Sequence, residues 1–215
     1  MITRALSLAM VPFLFWSGVL AQSPSSSGAD ADKKIAALPH DRHEGLTISA
    51  DPYTDRERSK QKFGKASPNE IGILPVEVFL RNETGQAMRV KLESVQLDVH
   101  MSDGSHQDID WLTPAEVANY IAHPGGAKTP GQRRMPLPLP TNDKKAENLL
   151  KILGPLTLDD DVVPPMGMVH GFLFFNVNHE MSLAARSTLY APDVVAIPTN
   201  KPLLFFEVPL GTATD

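Results

Sequence analysis

The sequence predicts a mainly β fold, an antiparallel sandwich of about seven strands interrupted by two or three short helices. Three observations predict it. In residues 73–85, Leu74, Val76, Val78 and Leu80 alternate with Glu77, Phe79 and Arg81, the period-two pattern of a half-buried strand. Asn82, Glu83, Thr84 and Gly85 then supply turn chemistry, and a second alternating run (Met88, Val90, Leu92) follows at once, which reads as a long hairpin. Residues 168–177 are apolar on both faces, as a central strand covered on two sides must be.

The remaining elements fall between turn signals. Residues 46–49 read as a first edge strand, ended near Asp51-Pro52 because a residue before proline is pushed away from helical geometry. Thr54 followed by Glu57 has the form of a capping box, and Gly64 closes the short helix it opens. The apolar set moves from even to odd positions between Leu92 and Val95, so the strand must break at Glu93-Ser94. Residues 95–101 and 106–109 then form a hairpin around a tight turn at 102–105. Thr113, with Pro114 and Glu116, is a second capping box that opens a helix reaching Ala122. Residues 142–153 make a third, amphipathic helix ended by Gly154 and Pro155. Short strands are expected at 156–158, 162–163, 187–190 and 203–208.

The 215 residues are 42% hydrophobic, carry a formal net charge of −5 and include no cysteine. The apolar content is enough for a core. The acidic balance, with no basic run longer than Arg133-Arg134, argues against a nucleic-acid surface or a polybasic membrane patch. Disulfides, thiolate catalysis and cysteine metal sites are excluded. Arg4, the apolar run at 5–20 and the small-residue site ending at Ala21 read as a secretory signal peptide over residues 1–21. This run is too short and wrongly flanked for a membrane span, so no transmembrane segment is expected after cleavage. Residues 22–44 read as a flexible linker, and 45–210 as one β-sandwich domain with a Pro/Gly-rich excursion at 123–141. Export without disulfides points to the bacterial periplasm or to secretion.

The segment 163–175, with its Pro164-Pro165-Met166-Gly167 turn, then Gly171 and the aromatics Phe172, Phe174 and Phe175, resembles a strand pair of immunoglobulin-like sandwiches in secreted bacterial proteins. Residues 72–82 and 206–210 are similar to the matching strands of an uncharacterised family of such exported domains. The likeness spans 46–210 and is one of structural pattern. It implies an immunoglobulin-like, antiparallel β-sandwich and an exported location, and it carries no activity.

Candidate sites are few. Met166, Met168 and His170 share strand parity, and His179 and Met181 follow on a loop; thioether and imidazole donors suit copper(I). In the excursion, Met135, Leu137 and Leu139 alternate with prolines beside Arg133 and Arg134, which suits docking onto an acidic partner surface. Asp159-Asp160-Asp161 lacks the spacing of a calcium loop and reads as solvated. His40 and His43, bracketed by Pro39 and Gly45, read as polar linker. A two- or four-residue loop would pair Met101 with His106 and put His100 on the opposite face, and a shared metal would require an odd loop with a bulge, so these two histidines are not expected to share a ligand. No nucleophile elbow or glycine-rich phosphate loop occurs. The expectation is therefore an exported non-enzymatic interaction or envelope-associated domain, without a cofactor, whose partner is another envelope or extracellular protein. A periplasmic copper(I)-binding protein and a hydrolase without a recognisable motif are the alternatives.

Overall fold

The computed structural model describes residues 32–101, 103–124 and 143–211. The signal peptide, residues 22–31 of the linker and the residues Arg133, Arg134, Met135, Leu137 and Leu139 lie outside them. Twelve strands are present among the described residues: β1 (His40–His43), β2 (Leu46–Pro52), β3 (Ile73–Asn82), β4 (Ala87–Val90), β5 (Gln96–His100), β6 (His106–Leu112), β7 (Val162–Val163), β8 (Met168–Asn176), β9 (Ser187–Ala191), β10 (Val194–Ile197), β11 (Lys201–Pro202) and β12 (Phe206–Pro209). A short helical run at 32–36 precedes β1, and three longer α-helices among the described residues accompany the strands: α1 (Arg56–Phe63), α2 (Pro114–Ala122) and α3 (Lys144–Leu153). None of these helices is long and apolar enough to cross a membrane.

Eight strands form one antiparallel sheet in the order β1-β2-β3-β8-β6-β5-β9-β12. The sheet curls until its two edges lie side by side. At this seam the Asp41 carboxylate accepts the Glu207 backbone N–H at 2.9 Å, and the His43 ring stands 5.1 Å from that of Phe206. A four-stranded sheet, β11-β10-β4-β7, packs its apolar side chains into the same core. The antiparallel, mainly β expectation holds. Eight of the strands share one nearly closed, barrel-like sheet.

Period-two alternation decides which side chains fill the curl. Leu46, Ile48 and Ala50 of β2, Leu74, Val76, Val78 and Leu80 of β3, and Leu97 and Val99 of β5 point inward. The central strand β8 is apolar on both faces for two separate reasons. Leu173 and Phe175 enter the interior, while Phe172 and Phe174 meet a second core built on the outer face. That second core takes Phe63 from α1, Val117, Ala118 and Ala122 from α2, and Ala146, Leu149 and Leu153 from α3. Fully burying one of the larger of these, the Phe, Val and Leu side chains, contributes roughly 1.5–3 kcal/mol, so the helices and the sheet depend on one another.

Four local expectations change. β3 does not form a hairpin with the next strand: it pairs with β2 and β8, while β4 pairs with β10 and β7 in the other sheet. The buried Asn82 turns the chain away, donating to the carbonyls of Gln86, Val163 and Pro164 and accepting from Thr84. The cap of α1 is Asp55, one residue after Thr54, because the Asp55 carboxylate reaches the Arg58 N–H at 2.7 Å. His40–His43 is a strand paired with β2, so the sheet starts before residue 45. Around Thr157 the chain makes a single parallel bridge to Phe172 in place of a strand. The break at Glu93-Ser94 is present as a 3₁₀ turn over Leu92–Ser94, and the capping box of α2 is complete.

Candidate functional site

The hairpin β5–β6 carries the group with the most chemistry. Its connection has three residues between Met101 and Ser105, an odd number. Gly104 donates its N–H to the Met101 carbonyl at 3.0 Å and sits at φ +85°, and the Met101 N–H bonds the Ser105 carbonyl at 2.9 Å. A glycine takes this left-handed conformation without steric cost, and the turn it completes is a common three-residue hairpin loop. Asp103 stiffens it by accepting from the Ser105 N–H and hydroxyl, which hold its carboxyl below the usual carboxylate range.

The odd loop pairs His100 with His106, overturning the expected Met101–His106 register. The two imidazoles now share the outer face, with ring centroids 4.5 Å apart at 70°. Asp98 lies on the same face, two residues from His100. Its Oδ1 is 3.4 Å from His106 Nδ1, and its Oδ2 is 4.0 Å from His100 Nε2. One donor atom from each of the three residues falls within 4.8 Å of the other two. Asp98 Oδ1 is shielded from solvent yet has no hydrogen-bond donor among the described residues. The sequence held the needed signals, the pair Asp98/His100 and the Asp103-Gly104 turn, but an even loop length hid the arrangement.

A second polar group sits where α1 lies on the sheet. Glu77, almost fully buried on β3, accepts from the Tyr53 hydroxyl at 2.8 Å and from Lys62 Nζ at 3.5 Å, with His170 Nδ1 3.8 Å away. Burial first, then the hydrogen bond and charge of Glu77, push the Tyr53 hydroxyl up to about 12. Beside it Arg58 forks onto the Asp51 carboxylate and lies 3.7 Å over the Tyr53 ring. The hydrogen bond to Asp51 raises the Arg58 pKa further. Each charge here already has a partner, so the group fastens the helix to the sheet.

The expected Met/His group is divided. Met166, exposed on the turn before β8, and Met168 and His170 lie at the start of that strand. His170 stacks on Phe79 at 5.4 Å, and Arg81 reaches the Met168 sulfur at 4.0 Å. His179 and Met181 follow the far end of β8, which puts roughly 20 Å of strand between them and His170. There His179 packs against Gly72, and Asn69 reaches the Met181 sulfur at 3.8 Å. Asp159 and Asp160 are exposed, and Asp161 pairs with Arg89 at 3.2 Å.

Comparison with family models, curated proteins and solved structures finds no match to the chain.

Proposed function

We propose that the protein is an exported, non-enzymatic binding domain of the bacterial periplasm or cell exterior, and that it presents the outside of a packed β scaffold to another envelope or extracellular protein. The observation that carries this reading is the filled interior of the curled sheet. Leu74, Val76, Leu97, Val99, Phe175, Phe206 and Val208 are wholly buried there. A small barrel-like sheet occupied by its own side chains serves as a scaffold, which leaves binding to its loops and outer face. The signal-like residues 1–21 and the absence of cysteine support export. The likeness of 46–210 to immunoglobulin-like exported domains belongs to the same proposal. The segment holding Arg133, Arg134, Met135, Leu137 and Leu139 is the proposed contact. The copper(I) alternative would rest on Met166, Met168 and His170 alone.

Affinity capture with cross-linking from an envelope extract tests the reading. The full chain should retain one specific protein, and a chain with residues 125–138 deleted should lose it. Turnover above background in a broad hydrolase screen of the purified protein overturns the non-enzymatic reading.

A further inference from the structure

We propose that Asp98, His100 and His106 form a binding site for a divalent first-row transition-metal ion, zinc(II) or copper(II), on the outer face of the β5–β6 hairpin. The donor set decides the class. Two imidazole nitrogens and one carboxylate oxygen suit these borderline ions, which bind nitrogen and oxygen donors at about 2.0–2.2 Å. Calcium and magnesium prefer a shell made wholly of oxygen, and copper(I) prefers sulfur.

Geometry comes next. Donors around a tetrahedral ion with such bonds stand roughly 3.3 Å apart. The three side chains already hold theirs within 4.8 Å, with Asp98 Oδ1 and His106 Nδ1 at 3.4 Å. Rotation of exposed imidazoles closes the remainder without moving backbone. That backbone is fixed by the ladder, in which His100 faces His106 and Asp98 faces Asp108, with β9 pairing along the other side of β5. A site on paired strands is more precise than one on a free loop.

Two further observations separate this group from an ordinary surface ion pair. Among the described residues the shielded Asp98 Oδ1 accepts no hydrogen bond, its only close cation being His106 Nδ1 at ion-pair distance, 3.4 Å, a position that a bound metal would satisfy. The charged side chains on the outward positions of the hairpin itself are aspartates. Asp98, Asp108 and Asp110 stand with His100 and His106 along the outward positions of β5 and β6, with no lysine or arginine among them. Asp108 lies directly across from Asp98 and can lend a fourth oxygen.

The test is a titration of the whole protein at neutral pH with zinc(II) alone, then copper(II) alone, followed by calorimetry and by the side-chain resonances of the histidines. One equivalent should bind, copper(II) more tightly than zinc(II), following the order of divalent affinities. Zinc(II) should shift the His100 and His106 signals and leave those of His170 in place. His100→Gln and His106→Gln should each weaken binding at least as much as the roughly 10–100-fold that loss of an outer-shell partner costs in metal sites. His170→Gln should change nothing, and magnesium should not compete. All three positions are at the surface, and unchanged circular dichroism will confirm that the variants fold. The proposal is overturned if no saturable binding occurs below about 1 mM zinc(II), if the variants bind like the parent, or if the shifted resonances belong to other histidines.

Discussion

His123 and Asp143 meet at 2.6 Å between Nε2 and Oδ2, joining the end of α2 to the start of α3. The other Asp143 oxygen accepts the N–H groups of Lys145 and Ala146, so one carboxylate caps α3 and ties it to its neighbour. Lys145 adds a bond of 3.1 Å to the Ala122 carbonyl. The two ends of the 125–142 segment are thereby held from the domain side. Replacing residues 125–138 with a short Gly-Ser linker should leave the melting temperature nearly unchanged. Asp143→Ala should lower it more than His123→Ala, because it removes the cap as well as the pair. The Ala146 N–H and His123 keep the Asp143 carboxyl below its usual range. Its contribution is therefore present above the ordinary carboxylate pKa and lost as pH falls through the depressed value. The Tm gap between the parent and Asp143→Ala should be full near neutrality and shrink below about pH 4.

Tyr53 gives the opposite pH dependence. Its hydroxyl ionises near 10.0 when exposed and near 12 when buried against Glu77. Between these values the unfolded chain has released a proton that the folded one retains, so stability falls as pH rises. The contribution is complete below about pH 10 and gone above about pH 12. Denaturation followed across that interval should show this loss in the parent and a flatter profile in Tyr53→Phe. Equal slopes would mean that the hydroxyl is not buried against Glu77 as described.

How legible this was from sequence depends on how local the determinant is. The α2 cap was readable because Thr113, Pro114 and Glu116 act within one turn. The central place of β8 was readable because a strand with Phe172 and Phe174 on one face and Leu173 and Phe175 on the other needs two covers. Strand partners were not. The alternation of Met88 and Val90 announces a strand, but its neighbours at Val162–Val163 and Val194–Ile197 lie more than seventy residues on. The polar strand His40–His43 has no apolar period to betray it, since it lies at the edge. The Asp98/His100/His106 group turned on one parity. A single residue more or less in the loop at 102–104 decides whether the histidines share a face.

Gly171 is set by close approach. A Cβ there would lie 2.5 Å from the Leu158 nitrogen and 2.6 Å from its Cα, both backbone atoms that cannot rotate away. The same strand bonds that segment through the Leu158 N–H to the Phe172 carbonyl at 3.1 Å. Gly171→Ala should therefore force the 157–158 segment off the sheet and cost about 1–3 kcal/mol, the usual range for overpacking. Gly85→Ala is the control: nothing lies within 4 Å of its Cβ position, and chemical denaturation should find it close to neutral. If the two variants unfold at the same denaturant concentration, the approach of Leu158 is looser than described.

Asn82 carries the sharpest prediction, because its two amide atoms do different work. The Nδ2 group faces three carbonyl oxygens, those of Gln86 at 2.7 Å, Pro164 at 3.0 Å and Val163 at 3.3 Å. The Oδ1 atom accepts from the Thr84 N–H at 2.9 Å and from its hydroxyl at 2.8 Å. Removing both in Asn82→Ala leaves buried groups without partners and should cost about 1–3 kcal/mol. Asn82→Asp keeps the acceptor but turns the donor into a charged oxygen aimed at three others. At neutral pH it should be the more damaging change, although it is closer in shape. Burial and the facing carbonyls would raise the pKa of the new carboxyl, since both oppose its charged form. Its penalty should then be complete above that raised value and shrink as acid protonates the group and restores one donor. Equilibrium denaturation of both variants from about pH 8 to pH 4 should bring Asn82→Asp toward the parent, with the Asn82→Ala deficit unchanged. A deficit in Asn82→Asp that is the same at both ends of that range would show that the side chain has swung out to solvent and that the three carbonyls are satisfied by other means.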